Sequence, residues 1–297
     1  MWSPATVPLP PISAVLSQGG RATRTISRER VARHFGVRPE QVWVGSDLLS
    51  RLFSALTRPG DHVLVAEPTC PEVLNAVVTS GARYVDCGRN HRFEIDRGGY
   101  RCVLSDPRTR LVHLASPNEP TGHYPSVRRI EEARSTGAIV LWDQRYTLRP
   151  YERVRIEPGV LVIRTLHLGA GLSGPPTHCV FGTPELLQLL GRFRPPDELW
   201  GEALVHTDQT RRRLRIWART ISRCRKILVP WAVHPAGSRL SSGLWLRVPG
   251  MPSQEIATAL ASDFVVGSTA WTWRDAVRVC PSTPRIALEL CDRFRAL

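Results

Sequence analysis

The stretch Ile139-Val140-Leu141-Trp142-Asp143-Gln144-Arg145-Tyr146 decides how this chain is read. Ala138 to Trp142 is a short apolar run of the kind that forms a strand buried on both faces, and the run hands over a carboxylate where it stops. Working outward, the same texture recurs. Val42-Trp43-Val44, Asp61 to Ala66, Arg83 to Cys87, Arg110 to Ala115 and Val160 to Ile163 read as strands, and helices of about ten residues lie between them. These helices run from Ser27 to Gly36, Leu48 to Leu56, Pro71 to Ser80 and Ser126 to Ser135. Alternation of this kind predicts an α/β architecture of three layers, a mostly parallel sheet with helices on both faces. Ligands of such sheets sit beyond the C-terminal ends of the strands, which is where Asp143 falls.

After Gly201 the texture changes. A long helix from Leu204 to Lys226 precedes strands at Leu244 to Val248, Phe264 to Val266 and Ala276 to Cys280, with a helix from Ser253 to Ala261 among them. We therefore expect an N-terminal arm over 1–25, a large domain over 26–200 and a smaller α+β domain over 201–297.

Two further stretches flank the first. Ser116-Pro117-Asn118-Glu119-Pro120-Thr121-Gly122 precedes it, and Arg164-Thr165-Leu166-His167-Leu168-Gly169-Ala170-Gly171-Leu172-Ser173-Gly174 follows it. Together the three closely resemble the core of the histidinol-phosphate-type aminotransferases, over roughly residues 30 to 295. The resemblance implies fold type I of the pyridoxal-phosphate enzymes. It places Asp143 on the pyridine nitrogen of the cofactor and Asn118 and Tyr146 on the ring's phenolic oxygen. A protonated ring nitrogen lets the ring take up electrons from the substrate, so a buried carboxylate is the group this chemistry requires. The resemblance also gives Gly45, Ser46, Asp47 and Thr165 to the phosphate. A strand, a small turn and a helix N-terminus suit that task, because free backbone N–H groups and the helix dipole converge there.

The family's last motif reads R-T-x-S-K-x-x-G-L-A-G, and a gapless overlay puts Leu168 on the lysine that forms the Schiff base. The family's phosphate arginine falls on Pro176, and the aromatic of its P-x-Y segment on Cys70. The chain has a single lysine, Lys226, at the end of the long helix, where a surface role is expected. His167 stands beside the lysine position and could act as a general acid or base, since imidazole titrates near neutrality; a packed or phosphate-adjacent histidine is the other reading. Val277-Arg278-Val279 resembles the family's L-R-I strand, whose arginine clamps a substrate carboxylate; an exposed strand arginine is the alternative. The resemblance thus implies pyridoxal or pyridoxamine phosphate held without a covalent link, and an amino-acid-like anion as substrate. The alternative is a catalytically inactive chain. A homodimer or a heterodimer with a lysine-bearing paralogue is the expected assembly.

Composition narrows the remaining classes. The chain of 297 residues carries a formal net charge of +14, but its forty Lys plus Arg are nearly all arginine and are spread along the sequence. The densest group, Arg211-Arg212-Arg213 with Arg215, Arg219, Arg223 and Arg225, has helical spacing and reads as a solvated helix face. No aromatic-interleaved or helix-turn-helix pattern accompanies it, which argues against nucleic acid. No run approaches the length of a membrane span, and a cytoplasmic location is expected. Seven scattered cysteines show no metal-ligand spacing and read as buried free thiols, with no metal site.

Overall fold

The computed structural model describes residues 28–45, 48–119, 121–147, 149, 152–165, 178–191, 207–233, 244–260, 265–268, 276–280 and 284–296. Strands β1 (Val42–Gly45), β2 (His62–Val65), β3 (Arg83–Asp86), β4 (Thr109–Ala115), β5 (Ile139–Asp143), β6 (Val160–Thr165) and β7 (His178–Phe181) form one sheet. Its order is β1-β7-β6-β5-β4-β2-β3. The ladders among β3, β2, β4, β5 and β6 are all parallel, whereas β7 runs antiparallel to both β6 and β1.

Period-two alternation builds the three layers. Leu64, Val140 and Val162 face one apolar cluster, where α1 (Arg28–Phe35), α4 (Arg97–Leu104) and α5 (Val127–Ser135) pack. Val63, Leu141 and Ile163 face the other, against α2 (Leu48–Leu56) and α3 (Pro71–Thr79). Both faces of the central strands are thus dry, and a one-residue slip of register would exchange the two sets. Leu141 is fully buried, so truncating it to alanine is expected to cost about 2–5 kcal/mol.

The chain continues through α6 (Pro184–Gln188) and α7 (Thr207–Ile227) to a second sheet. There β8 (Leu244–Arg247), β10 (Ala276–Cys280) and β9 (Val265–Ser268) pair antiparallel, with α8 (Ser253–Leu260) and α9 (Pro284–Ala296) beside them. Leu214 and Ile221 of α7 and Phe294 of α9 join the same cluster as Val140, so this part of the chain is continuous with one face of the large sheet.

Four elements escape a reading by pattern. Helix α4 hides behind Gly98-Gly99, yet Asp96 caps it, accepting from the Gly99 N–H at 2.6 Å, and it buries Tyr100 and Leu104. Strand β7 is too short to show a period, α6 spans only five residues, and α9 follows Pro284 at its first position. Two expectations are corrected. Cys102 is exposed, while Cys70, Cys87, Cys179, Cys224 and Cys291 are buried free thiols. On α7, Arg211, Arg212, Arg215, Arg219 and Arg223 face solvent as expected, but Arg225 is half-buried, which pushes its guanidinium down to about 10.

Candidate active site

The strands that carry the three stretches end side by side. In the parallel register Ala115 of β4 pairs with Asp143 of β5, and Asp143 pairs with Ile163 of β6. Asp143 therefore stands at the centre of the sheet's C-terminal edge, 2 % exposed.

Its carboxylate is fully engaged by protein donors. The Arg145 backbone N–H donates to Oδ1 at 3.1 Å, and Arg145 Nε lies 3.0 Å from both oxygens. Arg145 Nη2 adds an ion-pair contact to Oδ2 at 2.9 Å, though off the hydrogen-bonding direction. His113 Nε2 reaches Oδ2 at 3.1 Å from the neighbouring strand. Burial by itself would raise the Asp143 carboxyl, but the Arg145 charge and the His113 contact outweigh it and hold the group well below the usual carboxylate range. Arg145 is itself 5 % exposed, and its Nη1 donates to Glu72 Oε2 on α3 at 3.0 Å. Burial pulls that guanidinium down and Asp143 pulls it up; the partner wins, and it stays charged.

The neighbouring groups complete the wall. The Arg145 guanidinium lies over the Tyr146 ring, 5.5 Å from its centroid, and the Tyr146 hydroxyl meets Cys70 Sγ at 3.6 Å. Burial first, and then the adjacent Cys70, push the Tyr146 phenol well up. Asn118 Nδ2 donates to the Pro68 carbonyl and to Thr121 Oγ1, both at 2.9 Å. Its own carbonyl accepts from the Gly122 N–H at 2.7 Å, in a turn that needs the positive φ of 69° at Gly122. Asn118, Asp143 and Tyr146 are thus gathered around the segment from Pro68 to Glu72.

A second group lies on the other side of β6. Thr165 and Gly45 both pair with His178 of β7, which therefore stands between them. Thr165 Oγ1 is 2.9 Å from His178 Nδ1, with both residues buried. A Cβ at Gly45 would run into the Trp43 indole, so no larger residue fits there without a shift. Ser46, Asp47, His167 and Leu168 lie outside the described residues, as does the side chain of Arg278, whose backbone pairs with Trp245 and Gly267.

Arg145, His113, Glu72 and His178 are the site residues that pattern reading misses. His113 left a trace: it interrupts the apolar run of β4 on the face that Asp143 shares one strand over. Nothing local marks Glu72.

An α/β sheet in this order, with a buried aspartate at the exit of its central strand, defines the fold type I aminotransferase architecture. The fold superposes on a probable N-succinyldiaminopimelate aminotransferase from Thermus thermophilus with a TM-score of 0.77 at 21 % identity, covering 99 % of this chain and 93 % of that one. It also superposes on aspartate aminotransferase from Thermus thermophilus with maleate, with a TM-score of 0.71 at 21 % identity over 96 % and 86 % of the two chains. In sequence, residues 19–165 match the family "Aminotransferase class I and II". Histidinol-phosphate aminotransferase 2 of Haemophilus influenzae (strain 86-028NP) is 28 % identical over 189 residues, 57 % of this chain and 50 % of that protein. Histidinol-phosphate aminotransferase of Dehalococcoides mccartyi is 28 % identical over 185 residues, 59 % and 51 % of the two. The chain spans about half the length of the curated relatives it matches. Over residues 19–165 the chain is similar to the class I and II aminotransferases, whose fold its full length shares.

The aminotransferases it resembles imply pyridoxal phosphate, and the described residues around Asp143 do not fit that group. A carboxylate offers about four acceptor positions. On Asp143 they are met by the Arg145 backbone, the Arg145 guanidinium and His113, which leaves no oxygen for a ring N–H.

Proposed function

We propose that this chain carries out no Schiff-base transamination by itself and serves as the non-catalytic subunit of an assembly with a lysine-bearing paralogue. One observation carries the reading. Covalent pyridoxal chemistry needs a side-chain amine, and the chain's single lysine, Lys226, sits exposed in the last turn of α7, far along the chain from the exit of β6. Residues 26–200 then form the cofactor-type domain and 201–297 the smaller one, in a cytoplasmic dimer whose other chain supplies the amine.

A second reading is favoured by the gathering of Asn118, Asp143 and Tyr146 around one segment. In it the chain holds pyridoxal or pyridoxamine phosphate without a covalent link, with Gly45, Ser46, Asp47 and Thr165 toward the phosphate. His167 would move protons and Arg278 would hold an anionic amino-acid-like substrate.

The experiment is amine turnover by the purified chain with pyridoxal phosphate and an amino-acid donor, followed by borohydride reduction and peptide mapping. The non-catalytic reading expects no turnover and label only at Lys226 and the N-terminus. It also expects co-elution with the paralogue on size exclusion. Turnover by the chain alone would sink it in favour of the second reading.

A further inference from the structure

We infer that Arg145 is a built-in counter-cation: its guanidinium takes the place on Asp143 that the protonated ring nitrogen of a pyridine-type ligand would take, and so closes the site. This deepens the non-catalytic reading above and rests on it.

Three observations converge. First, the group at the carboxylate is a flat, delocalised cation, weakly hydrated enough to be buried, which matches a pyridinium in charge and shape. It is stacked against an aromatic ring, Tyr146, at 5.5 Å. Second, the pairing is local. Arg145 is two residues beyond Asp143, and its backbone N–H donates to the same carboxylate at 3.1 Å, so the guanidinium is tethered beside its partner. An incoming ligand competes with an intramolecular donor. Third, the far side of the guanidinium is anchored on α3 by Glu72 at 3.0 Å. Swinging Arg145 away breaks both ion pairs at once, and an open state that is rarely populated lowers the apparent affinity of any ligand needing it by that same fraction.

The arrangement also explains why a carboxylate is retained where the amine chemistry is not. With Arg145 in place Asp143 is a structural counter-ion, and its loss would strand a buried guanidinium beside Glu72 and Tyr146.

The test uses pyridoxamine phosphate, which carries the pyridine ring but forms no imine with a surface amine. Binding to the full chain is followed by calorimetric titration and by thermal shift. We expect no saturable binding to the wild type at millimolar ligand. Arg145→Ala should bind at least tenfold more tightly and be raised in melting temperature by the ligand, and Asp143→Asn/Arg145→Ala should lose that gain. Equal affinity of wild type and Arg145→Ala would overturn the inference, as would retention of the gain in the double variant. If Arg145→Ala does not fold, Arg145→Gln replaces it, and micromolar binding by the wild type is decisive against the inference on its own. These outcomes are independent of turnover, so a catalytically active wild type and an open site are told apart.

Discussion

At the exit of β5 and at the exit of β6 the same sheet solves two polar problems in different ways. Beside Asp143 the ion pairs run from Asp143 to Arg145 to Glu72, and His113 Nε2 contacts the Asp143 end of that chain. Beside Thr165 the buried polar pair is a hydroxyl and an imidazole. The first is a closed electrostatic unit whose members depend on one another. The second contains the Thr165–His178 contact, which involves no paired carboxylate and guanidinium. Removing one member of a buried ion pair leaves an uncompensated charge, whereas removing the threonine hydroxyl from a hydrogen bond leaves an unmet donor or acceptor.

The largest expected effect follows from that difference. Asp143→Asn leaves the Arg145 guanidinium buried with Glu72 as its one anionic partner among the described residues, and should destabilise the fold by about 3–5 kcal/mol in urea titration. A loss below about 1 kcal/mol would mean that Arg145 reaches solvent readily, and would break the picture of a sealed unit.

Next comes the response to acid. Asp143 is held below its ordinary value in the folded chain, so the stability it contributes is complete above the unfolded value near pH 4 and is lost as pH falls below it. The slope should approach about 1.4 kcal/mol per pH unit on the acid side, read from urea midpoints at pH 5, 4 and 3. In Arg145→Ala burial dominates and raises the carboxyl, so this part of the acid slope should vanish. An unchanged slope would assign it to other carboxylates.

What the sequence makes legible depends on where each signal resides. Asp143 and its strand are written locally: an apolar run that stops at a carboxylate reads as a strand end whatever surrounds it. Asn118 and Thr165 are reached only through the resemblance, and the structure brings them to the same sheet edge. The role of Arg145 is not local. A residue two positions beyond Asp143 can point to solvent or back into the sheet, and the decision is made by Glu72, more than seventy residues away, through α3. Strand β7 is likewise invisible by pattern, since four residues carry no period, yet it puts His178 between Gly45 and Thr165. Long-range pairing decided what composition and spacing left open.

A smaller effect belongs to the second region. Thr165→Val removes the hydroxyl from His178 Nδ1 and keeps the shape of the side chain, and should cost about 1 kcal/mol by thermal or urea unfolding. Thr165→Val exceeding Asp143→Asn in cost would reverse the comparison between the two strand exits.

The smallest effect sharpens it from outside. Lys226→Arg keeps the charge of an exposed side chain in the last turn of α7 and removes the chain's single side-chain amine. Stability should stay within the ±0.5 kcal/mol typical of surface substitutions, and pyridoxamine phosphate binding should not change. After borohydride in the presence of pyridoxal phosphate, label should remain at the N-terminus alone. Loss of any measurable amine turnover in this variant would show that Lys226 reaches the strand exits, so the ion pairs around Asp143 would then have to open during that reaction.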